Sequence, residues 1–271
     1  MHLLIFEKSL RTKPVFDNID DCFKKIKQDF NNKKYQDELV KYIQRITRIN
    51  KINFRILPNQ YSAFSLPIYD NIVSASLNPK NNKLLRRTVQ NKNKLEESGK
   101  FIKELTLEFG TILLNKLTPQ QCTAVLLHEL GHVLKHVSAM EHVWVRLIKA
   151  ISFIGLMSIF ISPKLFLASL LLFRSTSIFE HLREYNSDAF AAKYGYGEEM
   201  LQVLEILKKD EIKISKTENF IKDVKELLIG STHPKDEKRQ CYVIKQMMNR
   251  YKKMYPNFQK EIDRNYKNLN C

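Results

Sequence analysis

Along most of this chain the apolar positions recur every three or four residues, and only in short stretches do they alternate. Residues 15–49 set Phe23, Ile26, Phe30, Leu39, Tyr42, Ile43 and Ile46 among charges, the spacing of an amphipathic packing helix. Residues 52–57 alternate as a strand does, and Pro58 stops them. Tyr61 to Tyr69 is a second extended candidate, and residues 77–100, rich in Asn and Lys, read as an exposed loop. The apolar run Leu105 to Leu114 suits either a strand or a buried turn. Helical patterns follow at 175–193 (closing on Tyr194-Gly195), 198–209, 216–229 and 235–253. The pattern predicts an α+β protein, predominantly helical, with a small sheet.

The best-specified helix begins at Thr118. Thr118 is a good N-cap, Pro119 takes the first helical position where its missing N–H does no harm, and Gln121 completes a capping box. The helix continues through Leu134 with an apolar face of Val125, Leu126, Leu130, Val133 and Leu134.

In the middle of that helix stands His128-Glu129-Leu130-Gly131-His132. Residues four apart share a helix face, so His128 and His132 can bind one zinc ion through neutral imidazoles. Glu129 projects from the neighbouring side, close to the metal's open position, where it can act as general base toward a zinc-activated water. A third ligand must come from elsewhere. His136 is one turn further on, but it would lie about 12 Å from His128 along the axis, too far to share an ion. The metzincin spacing fails because positions 135 and 138 are Lys135 and Ser138. Glu184 and Asp188 are again four apart on a predicted helix. Glu184 can be the third ligand while Asp188 hydrogen-bonds a ligand histidine and fixes its tautomer.

Charge adds a second possibility. Net charge is +16, with 45 basic against 29 acidic residues, which suits an anionic membrane face or nucleic acid. The basic residues are spread along the chain and no nucleic-acid motif accompanies them. A nucleic-acid-binding protein with a structural or absent zinc is therefore the alternative reading, and the sequence does not favour nucleic acid as a partner. Cys22, Cys122, Cys241 and Cys271 form no C-x-x-C pair, and free thiols fit a reducing compartment.

The motifs together resemble a known family. His-Glu-Leu-Gly-His, then Glu184-Tyr-Asn-Ser-Asp188-Ala-Phe-Ala-Ala-Lys-Tyr-Gly-Tyr, look like the CAAX prenyl endopeptidase and the HtpX-type membrane proteases, gluzincins with H-E-x-x-H plus E-x-x-x-D. Ser231-Thr232-His233-Pro234, with Arg239 six positions after the histidine, is similar to that family's S-T-H-P segment. The resemblance implies a zincin-like fold, one Zn2+ per chain and a protein or peptide substrate. It also implies transition-state support by His233 and Arg239. Ser62-Ala63-Phe64 stands where the family has an N-A-F edge strand, with Ser62 in place of the asparagine. That likeness implies an extended substrate added to this edge.

The segment between the ligands is apolar. Ala150 to Phe173 holds one charge, Lys164, beside Pro163. Because His132 and Glu184 must meet at one ion, the chain between them crosses a membrane an even number of times or not at all. Residues 143–179 are read as an apolar hairpin, Val143 to Ser162 and Pro163 to Phe179. Each arm is near or below the roughly 20 residues of a full span. The apolar hairpin and the family likeness favour a membrane-associated protein with lipid as a partner, and the basic residues at its base (Arg146, Lys149, Arg174, Arg183) favour the catalytic face on the cytoplasmic side. A soluble cytoplasmic protein with a buried helical pair is the alternative. The expected domains are a helical region 1–50, a metallopeptidase domain 51–254 and a basic tail 255–271.

Overall fold

The structure, a computed structural model, describes residues 14–69, 102–135, 147–148, 150–151, 162–211 and 234–254. Two helices open it, α1 (Pro14–Gln28) and α2 (Lys33–Thr47). The single helix expected over 15–49 is thus broken. Asp29 Oδ1 accepts from Asn31 N, and Asn32 caps α2 by accepting from Lys34 N. Two short polar side chains satisfy local backbone groups better than a continuous helix would. Arg48 ends α2 in the left-handed conformation at φ 60°.

Three strands follow: β1 (Ile52–Leu57), β2 (Ala63–Tyr69) and β3 (Ile102–Gly110). Their spatial order is β1-β3-β2, with β1 parallel and β2 antiparallel to the central β3. The run from Leu105 therefore resolves into strand, then the short helix α3 (Thr111–Lys116). The loop expected at 77–100 and the helix expected at 216–229 lie outside the described residues.

Helix α4 (Pro119–Lys135) is the axis of the molecule. Its capping box forms as the sequence predicts: Thr118 N donates to Gln121 Oε1 at 2.8 Å, and Gln121 N to Thr118 Oγ1 at 3.3 Å. The apolar face named from the sequence is buried throughout. It packs in one core with Ile19, Phe23 and Ile26 of α1 and with Leu105, Leu107 and Phe109 of β3. Phe109 stacks against both Phe23 and Phe54, with ring centroids 5.6 and 5.7 Å apart. Buried polar ties join the same elements. Asp20 accepts hydrogen bonds from the Thr123 and Tyr196 hydroxyls, so α1 shares its interior with the central helix.

Helix α5 (Pro163–Lys193) is one continuous rod of 31 residues, with Ser162 as N-cap. The sequence reading divides this stretch between a hairpin arm and a separate helix; in the structure both belong to α5. Its last turns, around Ser187 to Ala192, are buried against α4, whereas Leu165, Leu167, Leu171, Ile178 and Leu182, all before Glu184, are exposed. Among the described residues no helix is long and apolar enough to cross a membrane, so the expected transmembrane helix is not found there. Residues 143–146, 149 and 152–161 of the expected hairpin lie outside the described residues. Gly195 follows α5 at φ 87°, the conformation expected at that helix end. Helices α6 (Gly197–Glu211) and α7 (Asp236–Met254) complete the bundle. Cys22 and Cys122 are free, and burial pushes both thiols up to about 12, which leaves them unreactive. Cys241 departs from the expectation of free thiols: it is disulfide-bonded.

Candidate metal centre

Two crossing helices build the site. Helix α4 presents His128 and His132 one turn apart, and α5 presents Glu184 and Asp188 with the same spacing. Gly131 is what lets the two rods meet. A Cβ at position 131 would sit 2.8 Å from Ser187 Cα, closer than real contacts allow, and a tight 3.0 Å from Phe190 Cβ. A Gly131→Ala variant is therefore expected to push α4 off α5 and to lose about 1–3 kcal/mol of stability by overpacking. A thermal melt checks this, and an unchanged Tm would show that the crossing has slack.

The donor atoms converge. His128 Nε2 and His132 Nε2 are 3.0 Å apart. Glu184 Oε1 lies 3.3 Å from His132 Nε2, and Oε2 lies 3.6 Å from His128 Nε2. One ligand atom from each of these three residues can be chosen so that all lie within 4.8 Å of one another. A tetrahedral ion with ligand distances of about 2.0–2.2 Å keeps its donors roughly 3.3–3.5 Å apart, so the observed separations bracket what such an ion requires. Two imidazoles and a carboxylate are also the donor types a catalytic zinc site uses. The residues fit the group.

A second layer holds these ligands. Asp188, fully buried, accepts from His128 Nδ1 at 2.8 Å. A carboxylate can only accept, so the proton sits on Nδ1 and the Nε2 lone pair faces the centre. Burial alone would favour neutral Asp188. The Arg239 guanidinium outweighs it and holds the carboxyl below its usual range. Arg239 reaches Asp188 with a two-pronged grip, Nε to Oδ2 and Nη2 to Oδ1, each 2.8 Å, and its Nη2 is 3.3 Å from Glu184 Oε2. Burial lowers the His132 pKa to about 4, which leaves that ring neutral at physiological pH, as a ligand must be. Burial also works against charged His128, but the Asp188 hydrogen bond and charge prevail and raise its pKa.

Glu129 is buried beside the ligands, and that burial raises its carboxyl above the ordinary value. A raised pKa makes a carboxylate a better proton acceptor. Its partner was not foreseen from the sequence: Ser65 of β2 donates from Oγ to Glu129 Oε2 at 2.9 Å. The signal was present, since Ser65 is two residues past Ala63 on the candidate edge strand. Only the three-dimensional packing shows that this face of the strand meets α4.

The edge strand itself is placed as follows. Ala63 and Phe64 open β2, Ser62 precedes it, and no strand pairs with its outer side among the described residues. Gly110 N donates to Ser62 O, which makes 62 and 110 a hydrogen-bonded pair in a register whose next member is Ala63 with Phe109. By alternation the main-chain groups of Ala63, Ser65 and Pro67 point away from β3, toward the open side. Of the other sequence-derived site residues, Arg239 is buried with its guanidinium engaged by Asp188 and Glu184, and His233 lies outside the described residues.

Comparison with known families decides what kind of protein carries this geometry. The profile of peptidase family M48 matches residues 101–243, just over half of the chain. The chain belongs to peptidase family M48. The match spans α4, Glu184, Asp188 and Arg239, the residues that build the centre. No curated protein and no solved structure gives a match. Membership makes this M48 chain a metallopeptidase, a hydrolase acting on protein or peptide substrates. Among the described residues the fold is α+β and mostly helical with a three-stranded sheet, which bears out the expected fold class.

Proposed function

We propose that this M48 protein is a zinc-dependent metalloendopeptidase in which His128, His132 and Glu184 hold one Zn2+ and Glu129 is the general base. The observation that carries the reading is the convergence of those three donors at the crossing of α4 and α5. A zinc ion held there supplies Lewis acidity toward a water and toward the carbonyl of the scissile peptide bond. The chain supplies the rest. Ser65 engages Glu129 Oε2, which leaves Oε1 to accept the proton of the attacking water and to return it to the departing amine. Asp188 keeps the His128 proton on Nδ1 throughout. His233 is assigned to support of the developing oxyanion. Arg239 contributes to transition-state support through Asp188 and Glu184, which it orients.

An extended substrate is proposed to add to β2 at Ser62-Ala63-Phe64. Ala63 and Ser65 each offer an outward N–H and C=O there, and the strand packs directly on the helix that carries the ligands. Elemental analysis of the purified chain tests the reading: about one zinc per chain is expected. Chelation is expected to abolish peptide cleavage, and stoichiometric zinc to restore it. Full activity in metal-free protein would overturn the proposal.

We further propose membrane association with the catalytic face on the cytoplasmic side. The exposed apolar side chains of α5 before Glu184, with the sequence placing Arg174 and Arg183 in the same stretch, support it. The chain is expected to stay with the membrane fraction after washes in high salt and in carbonate. Release at ordinary ionic strength would favour the soluble alternative.

A further inference from the structure

Ser65 occupies an unusual position between the two working parts of the site. Its main-chain N–H and C=O point toward the open edge of β2, and its side chain stands off the sheet face, with the hydroxyl on α4. There the oxygen has two neighbours, both from one residue: Glu129 Oε2 at 2.9 Å and Glu129 O at 3.2 Å. Sixty-four positions separate the two residues in sequence, so the contact is made by the fold and not by local chain geometry. Alanine would fill nearly the same volume on this half-buried strand face, so packing does not account for the hydroxyl.

We propose that Ser65 is a positioning residue for the peptidase reaction: its hydroxyl pins one carboxylate oxygen of Glu129 so that the other stays aimed at the reacting groups. The inference rests on the peptidase reading above and deepens it. A glutamate side chain turns about three bonds, and a base that must first accept and then return a proton loses rate in every orientation that points elsewhere. A hydrogen bond from the substrate-bearing strand removes that freedom. It also sets the base at a constant offset from any peptide paired with β2, because strand and tether are the same residue.

The test uses the zinc-loaded full chain and a fluorogenic peptide chosen from a library on the parent enzyme. Ser65→Ala is expected to lower kcat by about ten- to a hundredfold, the range of a lost hydrogen bond to a charged group. KM should hardly move, because the groups that face the open edge are main-chain. Zinc content and Tm should also stay at the parent values, which a structural role would not allow. Ser65→Thr keeps the hydroxyl and should restore most of the rate; it also guards against a variant that merely misfolds. An active parent with Ser65→Ala at the same kcat, or with KM changed and kcat not, overturns the positioning role alone. A zinc-loaded parent that cleaves no peptide overturns both this role and the peptidase reading.

Discussion

Glu129→Gln is expected to leave one metal ion per chain in place and to lower the rate of peptide cleavage by about 10²–10⁴-fold, on the order of 3–5 kcal/mol of transition-state stabilisation. Glutamine has the shape of glutamate, and its carbonyl can still accept from Ser65, so the cage of His128, His132 and Glu184 is not disturbed. What disappears is basicity. In the parent, burial raises the Glu129 carboxyl, which strengthens it as a proton acceptor; no other carboxylate among the described residues is placed to substitute, because Glu184 faces the two imidazoles and Asp188 is engaged by His128 and Arg239. Metal analysis alongside steady-state kinetics checks both halves of the expectation. If the variant cleaves at the parent's rate, Glu129 is not the base.

The second large effect concerns a residue with no place at the open side of the centre. Arg239→Met strips buried Asp188 of the guanidinium that grips both its oxygens and takes a positive neighbour from Glu184. Removing one partner of a buried ion pair costs about 3–5 kcal/mol, because the remaining charge is left uncompensated. For a chain of this size that corresponds to a fall in Tm on the order of 10 °C. The loss should appear in metal-free protein as well, since it does not depend on catalysis. Adding Asp188→Asn to Arg239→Met removes the stranded charge, so the double variant should recover part of the stability lost by the single one. Calorimetry on the parent, the two single variants and the double variant measures this directly. Strictly additive losses would mean that the two residues do not act as a pair.

The contrast between these two residues shows where sequence reading reaches. The capping box at Thr118, the paired imidazoles and the Glu184–Asp188 spacing are periodic features of single helices, and periodicity is visible in a string of letters. So is the strand over 52–57. The partners of these residues are not. Asp188 meets His128 across 60 positions, Arg239 meets Asp188 across 51, and Ser65 meets Glu129 across 64. No local pattern specifies such pairs; they follow from how α4, α5, α7 and β2 pack. Family likeness assigned Arg239 to transition-state support; that its guanidinium grips Asp188 and neighbours Glu184 comes only from the packing. The sequence also misplaced two boundaries. Asn32 won the helix start that amphipathic spacing had hidden, and the apolar arm beginning at Pro163 joined the ligand-bearing helix because nothing between Leu172 and Glu184 breaks it.

Pro67 gives the open strand a further property. An exposed row of backbone donors and acceptors invites any passing extended chain, including the same strand of another molecule, and long uninterrupted rows are how sheets grow into aggregates. Pro67 stands at one of the outward positions and carries no N–H, so the row is cut after Ser65. A short visitor finds a foothold of two residues, whereas a stacking partner that needs a longer ladder meets a missing rung.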